Sequence, residues 1–327
     1  MRSSTHQPSN RKPGSRSAFG EGHDGFWTEL QLRRGFLLTL MGAGSALLVP
    51  KRSMASDDGN LPKEIPRIIT LDAALTQTAL ALGVTPMAVC SRYFYAPFVM
   101  EPTLPGGVLE LGQRTEPNLE LIAELRPSAI FYSPEFGNVT DTLRTMVPVV
   151  AIPIYQPEQR SFFDGAIASV RMMAAPLKRE TMAEQYIQHV ASTIEKARDA
   201  TSAYRGKSFC LFSFLNDRRA RVYTDRSLLG STLKEIGFSS ATDETGNEWG
   251  FFDMGMERLA DLSADEFVHI GDLPPRTEAS PVWKVLPFVR ADRLSSIPTN
   301  WMFGGLPSAE RFARTFGTAM KNHGDHG

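Results

Sequence analysis

The feature that most restricts the fold is an interruption in a regular alternation of strands and helices. Apolar runs typical of buried strands alternate with amphipathic runs on both sides of it, but Phe162 to Tyr204 contains only helical patterns. Near-continuous apolar strands that alternate with helices indicate a parallel sheet covered on both faces. The sequence therefore predicts two α/β lobes, 56–160 and 206–327, joined by a helical segment, 161–205.

A proline divides the predicted helical segment in two. The run "FFDGAIASVRMMAA" predicts one helix, Pro176 should interrupt it, and "RETMAEQYIQHVASTIEKARDATSAY" (179–204) predicts a second. At about 1.5 Å per residue the second helix would be roughly 35–40 Å long. A helix of that length can run beside a whole domain, so we expect one long interdomain helix.

The first 55 residues have the pattern of an export signal. Arg33 and Arg34 precede a mildly apolar run, 35–50, and a small-x-small sequence ends at Ala55. The apolar run is shorter than the ~20 residues that a spanning helix needs. We therefore expect an N-terminal extension followed by a twin-arginine signal peptide, and a mature chain in the periplasm. An uncleaved membrane anchor is the alternative.

Charge and cysteine content restrict the partners and the chemistry. Residues 1–55 hold eight Lys/Arg and three Asp/Glu, so the remaining chain has 27 basic and 33 acidic residues and a net charge of −6. An acidic chain argues against nucleic acid as a partner. Cys90 and Cys210 lie in apolar strands of different lobes. We expect two buried thiols rather than a disulfide that would staple the lobes.

The motifs that enzymes of this size commonly carry are absent from the sequence. There is no phosphate-binding loop, nucleophile elbow or H-E-x-x-H zinc motif, and the G-x-G sequences, at 20–22 and 42–44, both lie within the first 55 residues. His269 falls in an apolar strand and is predicted to be a hydrogen-bonded core residue, whereas His323 and His326 should be solvated. No pair of acidic residues suggests acid–base chemistry. The sequence favours binding over catalysis, with no cofactor and no metal held by the protein.

A proline-bounded segment in the first lobe predicts a helix that leads into a strand. Thr115 or Glu116 can cap the helix, Pro117 would occupy its first turn, and Pro127 would end it. The strand "SAIFYS" follows and ends near Tyr132. The carboxyl ends of such strands are where α/β sheets present ligand sites.

Four segments carry a resemblance to a known family. They are "GQRTEPNLELIAELRPSAIFYS" (112–133), "NEWG" (247–250), "PVWKVLPFVRADRLSSIP" (281–298) and "WMFGG" (301–305). These segments resemble the class III periplasmic solute-binding proteins, and the "G-x-RTEPN" form and the tryptophan motifs are similar to the group that binds ferric hydroxamate siderophores. The resemblance extends from about Arg67 to the terminal helix. It implies two α/β lobes bridged by one long helix, with ligand in a shallow cleft between them.

The resemblance also implies a function and partners. Proteins of this group bind iron(III)-hydroxamate siderophores of the ferrichrome or coprogen type and deliver them, as monomers, to an inner-membrane ABC permease and its ATPase. By motif, Glu120 and Glu257 match the glutamates that dock each lobe on the permease. An ordinary solvated charge on a helix is the alternative for both residues.

Arg114 is the polar ligand-binding residue that the resemblance implies. Three hydroxamates cancel the charge of Fe³⁺, so a binder of this chelate needs only one or two donors and apolar walls. The resemblance assigns contacts with the hydroxamate oxygens to Arg114, whose guanidinium offers several N–H donors in a fixed fork. A structural salt bridge within the lobe is the alternative. We expect no protein atom to ligate the iron, because the siderophore fills its coordination sphere.

Aromatic residues supply the walls in the family. The positions that match here are Phe98, Tyr132, Phe136, Trp249, Trp301 and Phe303. Relatives have tryptophan where this chain has Tyr132, and a hydrogen-bonding tyrosine where it has Phe136. We therefore expect Tyr132 to supply the missing hydroxyl. Core packing is the alternative for each aromatic residue, and it is the one that we expect for Trp283.

Two other functions compete with hydroxamate binding. A catecholate or cobalamin binder could use the same scaffold, but a ferric tris-catecholate carries three negative charges and should require several converging Arg or Lys residues. The site motif offers one clear arginine. An exported enzyme on this scaffold would need a nucleophile–base pair or a metal site, and the sequence shows neither.

Overall fold

The structure is a computed structural model that describes residues 66–155 and 161–324. The predicted signal peptide lies outside the described residues. A mixed arrangement of parallel strands and helices occurs on each side of a helical segment, which confirms two α/β lobes and a long helix. Within the described part of the chain, no helix is both long enough and apolar enough to cross a lipid bilayer.

The N-terminal lobe contains a five-stranded parallel sheet in the order β3-β2-β1-β6-β7. Its elements are β1 (Ile68–Thr70), α1 (Ala73–Ala81), β2 (Ala88–Val89), α2 (Arg92–Phe94), β3 (Leu109–Glu110), β4 (Gly112–Gln113), β5 (Glu116–Pro117), α3 (Leu119–Leu125), β6 (Ala129–Tyr132), α4 (Asp141–Met146) and β7 (Val149–Ala151). A wide helical turn, Tyr95–Val99, follows α2, and a 3₁₀ turn, Pro134–Phe136, follows β6.

The segment around Arg114 differs from its prediction. Residues 112–117 form a two-stranded antiparallel hairpin, β4 and β5, with Arg114 and Thr115 at its turn. The helix cap is Asn118, whose side chain accepts the Leu121 N–H at 2.9 Å. The prediction of a cap at Thr115 or Glu116 was wrong because the hairpin occupies those positions. Asn is among the best capping residues, so α3 begins one turn later than predicted.

Two helices form the segment between the lobes. They are α5 (Phe162–Leu177) and α6 (Glu180–Ala200), with a 3₁₀ turn at Ser202–Tyr204. The predicted break at Pro176 was wrong by two residues, because Lys178 ends α5 in the left-handed conformation. Helix α6 has 21 residues and is about 30 Å long at 1.5 Å per residue. Helix α5 contacts both α1 and a helix of the C-terminal lobe, Leu228–Ile236.

The C-terminal lobe contains a mixed sheet in the order β11-β9-β8-β12-β13, and β10 also pairs with β8. Its elements are β8 (Ser208–Phe214), β9 (Arg219–Tyr223), α7 (Leu228–Ile236), β10 (Ser239–Ser240), β11 (Phe251–Gly255), β12 (Glu266–Ile270), α8 (Pro275–Ala279), α9 (Pro281–Val285), α10 (Pro287–Arg290), β13 (Leu294–Ile297) and α11 (Leu306–Gly324). Strand β9 is antiparallel to both of its neighbours, whereas β8, β12 and β13 are parallel.

Each lobe has its own apolar core. Cys90 packs in the N-terminal core and Cys210 in the C-terminal core, and both thiols are free and buried, as predicted. Burial raises the pKa of the Cys90 thiol to about 12. Trp283 is 3% exposed in the C-terminal core, which agrees with its predicted packing role.

The terminal helix α11 connects the C-terminal lobe to the N-terminal lobe. Arg311 and Arg314 both donate to the Glu101 carboxylate, and Ser308 Oγ donates to Gln77 Oε1 at 3.0 Å. Gln77 Nε2 in turn donates to the Glu101 carbonyl at 2.7 Å. Gln77 is fully buried, so this polar contact between the lobes is shielded from water.

His269 of β12 lies in the core between two phenylalanine rings. The prediction that His269 is buried is confirmed, but its Nε2 makes no hydrogen bond, which corrects the expectation of a hydrogen-bonded residue. The Phe212 and Phe214 ring centroids lie 5.3 and 5.5 Å from the imidazole. Burial lowers the pKa of His269 to about 4, and nearby Asp272 only partly offsets this effect.

We expect the buried imidazole to make the fold sensitive to acid. The unfolded chain binds a proton at His269 near pH 6.5, whereas the folded chain binds it only near pH 4. The folded state therefore loses stability as the pH falls below about 6.5, and the loss reaches about 2 kcal/mol at pH 5. Urea unfolding at pH 7 and pH 5 tests this. His269→Leu should lose about 2 kcal/mol less than the parent chain over that interval. Equal losses of stability in His269→Leu and in the parent chain would contradict the lowered pKa of His269.

Candidate functional site

Aromatic side chains from the two lobes meet in one continuous cluster. Phe136 of the N-terminal lobe stacks on Trp249 of the C-terminal lobe, with ring centroids 5.4 Å apart and planes 6° from parallel. Trp249 meets Phe303 edge to face at 5.2 Å, and Phe303 contacts Trp301 at 5.3 Å. Both lobes thus present flat apolar surfaces to each other at this point.

The cluster extends back into the N-terminal lobe. Trp301 meets Phe94 edge to face at 4.6 Å, and Phe94 stacks on Phe98 at 4.4 Å. We call the following residues the aromatic cluster: Phe94, Phe98, Phe136, Tyr155, Trp249, Phe251, Trp301 and Phe303. The structure therefore brings together five of the six aromatic residues singled out from the sequence.

Tyr132 is the sixth of these residues, and it lies elsewhere. Its ring is 4% exposed and packs in the core of the N-terminal lobe. Its hydroxyl accepts a hydrogen bond from Arg144 Nη2 at 3.0 Å. The expectation that Tyr132 replaces the hydroxyl missing at Phe136 is not met by this geometry, because the hydroxyl points to Arg144 and the ring is enclosed.

Sequence reasoning missed three members of the aromatic cluster, Phe94, Tyr155 and Phe251. Phe94 and Tyr155 contact the C-terminal lobe through Trp301 and Trp249, whereas Phe251 contacts Phe303 within that lobe, with centroids 6.1 Å apart. Tyr155 follows the carboxyl end of β7, the sheet edge at which α/β folds present ligand sites. An aromatic residue a few positions after a strand of the parallel sheet was therefore a usable signal.

Arg114 reaches from the hairpin turn to the loop that carries Phe136. Its guanidinium donates to the carbonyl oxygens of Phe136 and Gly137, and to that of Ser133 at 3.0 Å. Its Nε is buried and makes no hydrogen bond. Of the five N–H groups of an arginine, this leaves two without a protein acceptor, the buried Nε–H and one on Nη1, and the Nη1 group is the candidate donor to a ligand. The guanidinium thus holds the 133–137 loop in place from the side of the hairpin.

Asp72 is the buried acid beside Arg114. Its carboxylate caps α1 by accepting the Leu75 N–H at 3.0 Å, and it accepts the Ser133 N–H at 2.8 Å. Burial raises the pKa of Asp72, and the Arg114 guanidinium acts in the opposite direction. Burial likewise lowers the pKa of Arg114 while Asp72 raises it. Each charge reduces the cost of burying the other.

Glu135 ties the same loop to the end of β7. Its Oε1 accepts the backbone N–H groups of Ile154 and Tyr155, both at 2.8 Å, and Ser133 Oγ donates to its Oε2. Phe136 is therefore held on one side by Arg114 and on the other by the Glu135 contacts. Such a well-supported loop presents its aromatic ring with little freedom to move.

On the C-terminal side, a tight turn positions Trp249. Asn247 Oδ1 accepts the backbone N–H groups of Trp249 and Phe251, and Gly250 has a φ of +74°. A Cβ at Gly250 would lie 2.2 Å from the backbone nitrogen of Ser227. Only glycine fits a turn that presses this closely on a neighbouring backbone.

A buried arginine supports the C-terminal part of the cluster. Arg221 is 6% exposed, and its guanidinium lies 3.9 Å from the centre of the Phe251 ring. Its Nε donates to Asp253 Oδ1 at 3.0 Å. The positive charge is thus balanced by a carboxylate on the same sheet, and the guanidinium stacks on an aromatic face, as arginine commonly does.

The two glutamates matched to permease docking lie on different lobes. Glu120 is exposed in the first turn of α3, and Glu257 is exposed in a 3₁₀ helix, Met256–Asp261, that follows β11. Over residues 66–155 and 161–324, no group of three or more His, Cys, Asp or Glu residues is arranged to hold a metal ion.

The chain is similar to known periplasmic proteins over most of its length. Iron(3+)-hydroxamate-binding protein FhuD of Escherichia coli (strain K12) is 30% identical over 264 residues, which cover 78% of this chain and 86% of that protein. The achromobactin-binding periplasmic protein of Dickeya dadantii (strain 3937) is 31% identical over 179 residues, which cover 53% of this chain and 55% of that protein.

A solved structure shares the fold. The siderophore-binding protein FhuD from Vibrio cholerae, with bound Fe³⁺–Desferal, matches with a TM-score of 0.74 at 24% identity, covering 80% of this chain and 99% of that one. The family model described as periplasmic binding protein matches residues 68–300. This match includes both lobes and the helical segment between them. The chain belongs to the periplasmic binding protein family.

Proposed function

We propose that the protein binds iron(III)-hydroxamate siderophores, of the ferrichrome or coprogen type, between the two walls of the aromatic cluster. The observation that carries the proposal is the meeting of rings from both lobes, Phe136 and Phe98 on one side with Trp249, Trp301 and Phe303 on the other. Large rigid rings provide contact area at a low cost in ordering, which suits a bulky chelate with an apolar outer surface.

The charges beside the cluster favour a neutral cargo. Three hydroxamates balance the charge of Fe³⁺, so the chelate needs few donors. Arg114 already donates to three backbone carbonyls, and Arg221 is paired with Asp253. A ferric tris-catecholate would bring three negative charges, and arginines committed to other acceptors are poorly placed to offset them. One relative named for hydroxamate binding, FhuD of Escherichia coli, supports the same choice.

The proposal includes how the cargo reaches the site and leaves it. The chain would be exported by the twin-arginine route, act in the periplasm as a monomer without catalytic activity, and hand the siderophore to an ABC permease driven by its ATPase. Glu120 and Glu257 would meet the permease, one from each lobe, and both side chains are exposed. The siderophore would supply all the iron ligands.

Tryptophan fluorescence tests the choice of cargo. Among the described residues, Trp249 and Trp301 lie in the aromatic cluster and Trp283 lies in the core. Bound cargo should therefore quench the fluorescence of Trp249 and Trp301 directly. We expect quenching by ferrichrome and coprogen, and none by ferric enterobactin, ferric citrate or cobalamin at the same concentration. Trp283→Phe should leave the quenching intact. Quenching by the second group and not by the first would overturn the proposed cargo.

A further inference from the structure

Tyr155 makes a polar contact between the two lobes inside the aromatic cluster. The residue is 6% exposed, and its ring meets Trp249 edge to face at 5.5 Å and Phe136 at 6.3 Å. Its hydroxyl donates a hydrogen bond to the Gly304 carbonyl at 2.5 Å. One side chain of the N-terminal lobe thus touches both walls and bonds to the loop that carries Trp301 and Phe303.

The acceptor of this hydrogen bond sits in a closely fitted loop. A Cβ at Gly304 would lie 1.9 Å from Ser308 Oγ and 2.7 Å from Gln77 Oε1. A Cβ at Gly305 would lie 2.9 Å from Thr78 Oγ1 of α1. Because neither glycine has a side chain, the loop that carries Trp301 and Phe303 packs directly on the N-terminal lobe, next to the Tyr155–Gly304 hydrogen bond.

Tyr155 is also tied to the opposite wall. Its backbone N–H donates to Glu135 Oε1, in the residue that precedes Phe136. The residue is therefore anchored through its amide to the loop of one wall and through its hydroxyl to the loop of the other. The hydroxyl bond is buried and the amide bond is partly buried, so together they resist changes in the distance between the loops.

We propose that Tyr155 is a positioning residue that sets the spacing between the aromatic walls and thereby selects cargo by bulk. This inference rests on the proposed function. Phe136 and Trp249 are in contact, so cargo between the walls requires these rings to separate. The Tyr155–Gly304 hydrogen bond limits how far they can do so. Chelates with compact acyl groups fit within that limit, whereas bulkier ones need the bond to break.

Tyr155→Phe tests this directly, because it keeps the ring and removes only the hydroxyl. The two probes are ferrichrome and an analogue with the same peptide ring whose acetyl groups are replaced by pivaloyl groups. Both are neutral ferric trihydroxamates with saturated acyl groups, so they differ mainly in bulk at the walls. Calorimetric titration should show that the parent chain prefers ferrichrome, and that Tyr155→Phe reduces this preference by about five- to tenfold, the scale of one net hydrogen bond.

Tyr223→Phe is the matched control. The Tyr223 hydroxyl is also buried and bonds to Ser213 Oγ at 2.8 Å, but both residues belong to the C-terminal lobe. The control should keep the parent's preference. An unchanged preference in Tyr155→Phe, or an equal change in both variants, would overturn the inference about Tyr155 but not the proposed function. A parent chain that binds neither chelate would refute the proposed function and the inference with it.

A distance measurement separates spacing from a general loss of packing. Spin labels on cysteines introduced at exposed Glu124 and Lys284 report on the two lobes, while buried Cys90 and Cys210 should resist labelling. Pulsed electron paramagnetic resonance should give a broader distribution of distances between the two spin labels in Tyr155→Phe than in the parent chain or in Tyr223→Phe. A changed preference with an unchanged distribution would show that Tyr155 does not act through spacing, and would overturn the proposal.

Discussion

Replacing Arg114 with alanine is expected to lower the free energy of unfolding by about 3–4 kcal/mol, which lies within the range seen when a buried charge loses the opposite charge that offsets it. Three backbone carbonyls of the 133–137 loop would lose their donor, and Asp72 would lose the nearby positive charge that offsets its burial. Urea unfolding monitored by circular dichroism measures the change. We also expect weaker ferrichrome binding, because Phe136 depends on this loop.

A control and a conservative variant show whether the effect comes from the fork geometry. Arg144 is exposed and donates a single hydrogen bond to the Tyr132 hydroxyl, so Arg144→Ala should cost less than about 1 kcal/mol. Arg114→Lys keeps the charge but cannot reach three carbonyls at once, so it should recover only part of the lost stability. Full recovery would mean that charge alone matters.

The same variant distinguishes two interpretations of Arg114 that the sequence left open. If Arg114→Ala unfolds at the parent's urea concentration yet binds ferrichrome at least tenfold more weakly, the guanidinium serves the cargo and not the loop. If stability falls and the affinity of the folded fraction is unchanged, Arg114 is purely structural. The structure leaves one Nη1 hydrogen for cargo, so we expect both effects together.

The parts of the fold that follow from periodicity were predictable from the sequence. Strands such as β6 and β12 are buried along their whole length, so their apolar runs could be recognised without the structure. The strand-free segment between the lobes was also correctly located, because helical periodicity persists over α5 and α6. Its internal break was misplaced, since the left-handed conformation of Lys178 has no sequence signal as strong as a proline.

The site was harder to predict where function depends on contacts between distant residues. The aromatic residues of the loops near Trp249 and Trp301 were found from motif resemblance, and the structure brings them together. Tyr132 ends β6 and Tyr155 follows β7 in the same sheet, and the sequence alone could not rank them. Only the fold shows that the Tyr132 hydroxyl bonds to exposed Arg144 while the Tyr155 hydroxyl crosses to Gly304.

Replacing Trp249 with alanine is expected to weaken ferrichrome binding by about 100-fold, or ~2.7 kcal/mol, which is typical of a central aromatic residue in an interface. Calorimetric titration measures the affinity, and the loss should be nearly all in dissociation. Trp249→Phe keeps a ring over Phe136 and should lose less than about tenfold. Trp283→Phe, in the core, should bind as the parent chain does.

The size of the Trp249 effect also reports where the cargo lies along the cluster. Trp249 stacks on Phe136 at one end, and Trp301 contacts Phe94, which leads to Phe98, at the other. Cargo that separates the stacked pair must first replace their mutual contact, worth about 0.5–1.5 kcal/mol. Trp249→Ala removes that cost together with the wall, so the net loss is smaller than the ring area suggests. Should Trp249→Ala bind within threefold of the parent while Trp301→Ala abolishes binding, the cargo would lie at the Phe98 end, and the Phe136–Trp249 stack would be a closed contact that ligands leave undisturbed.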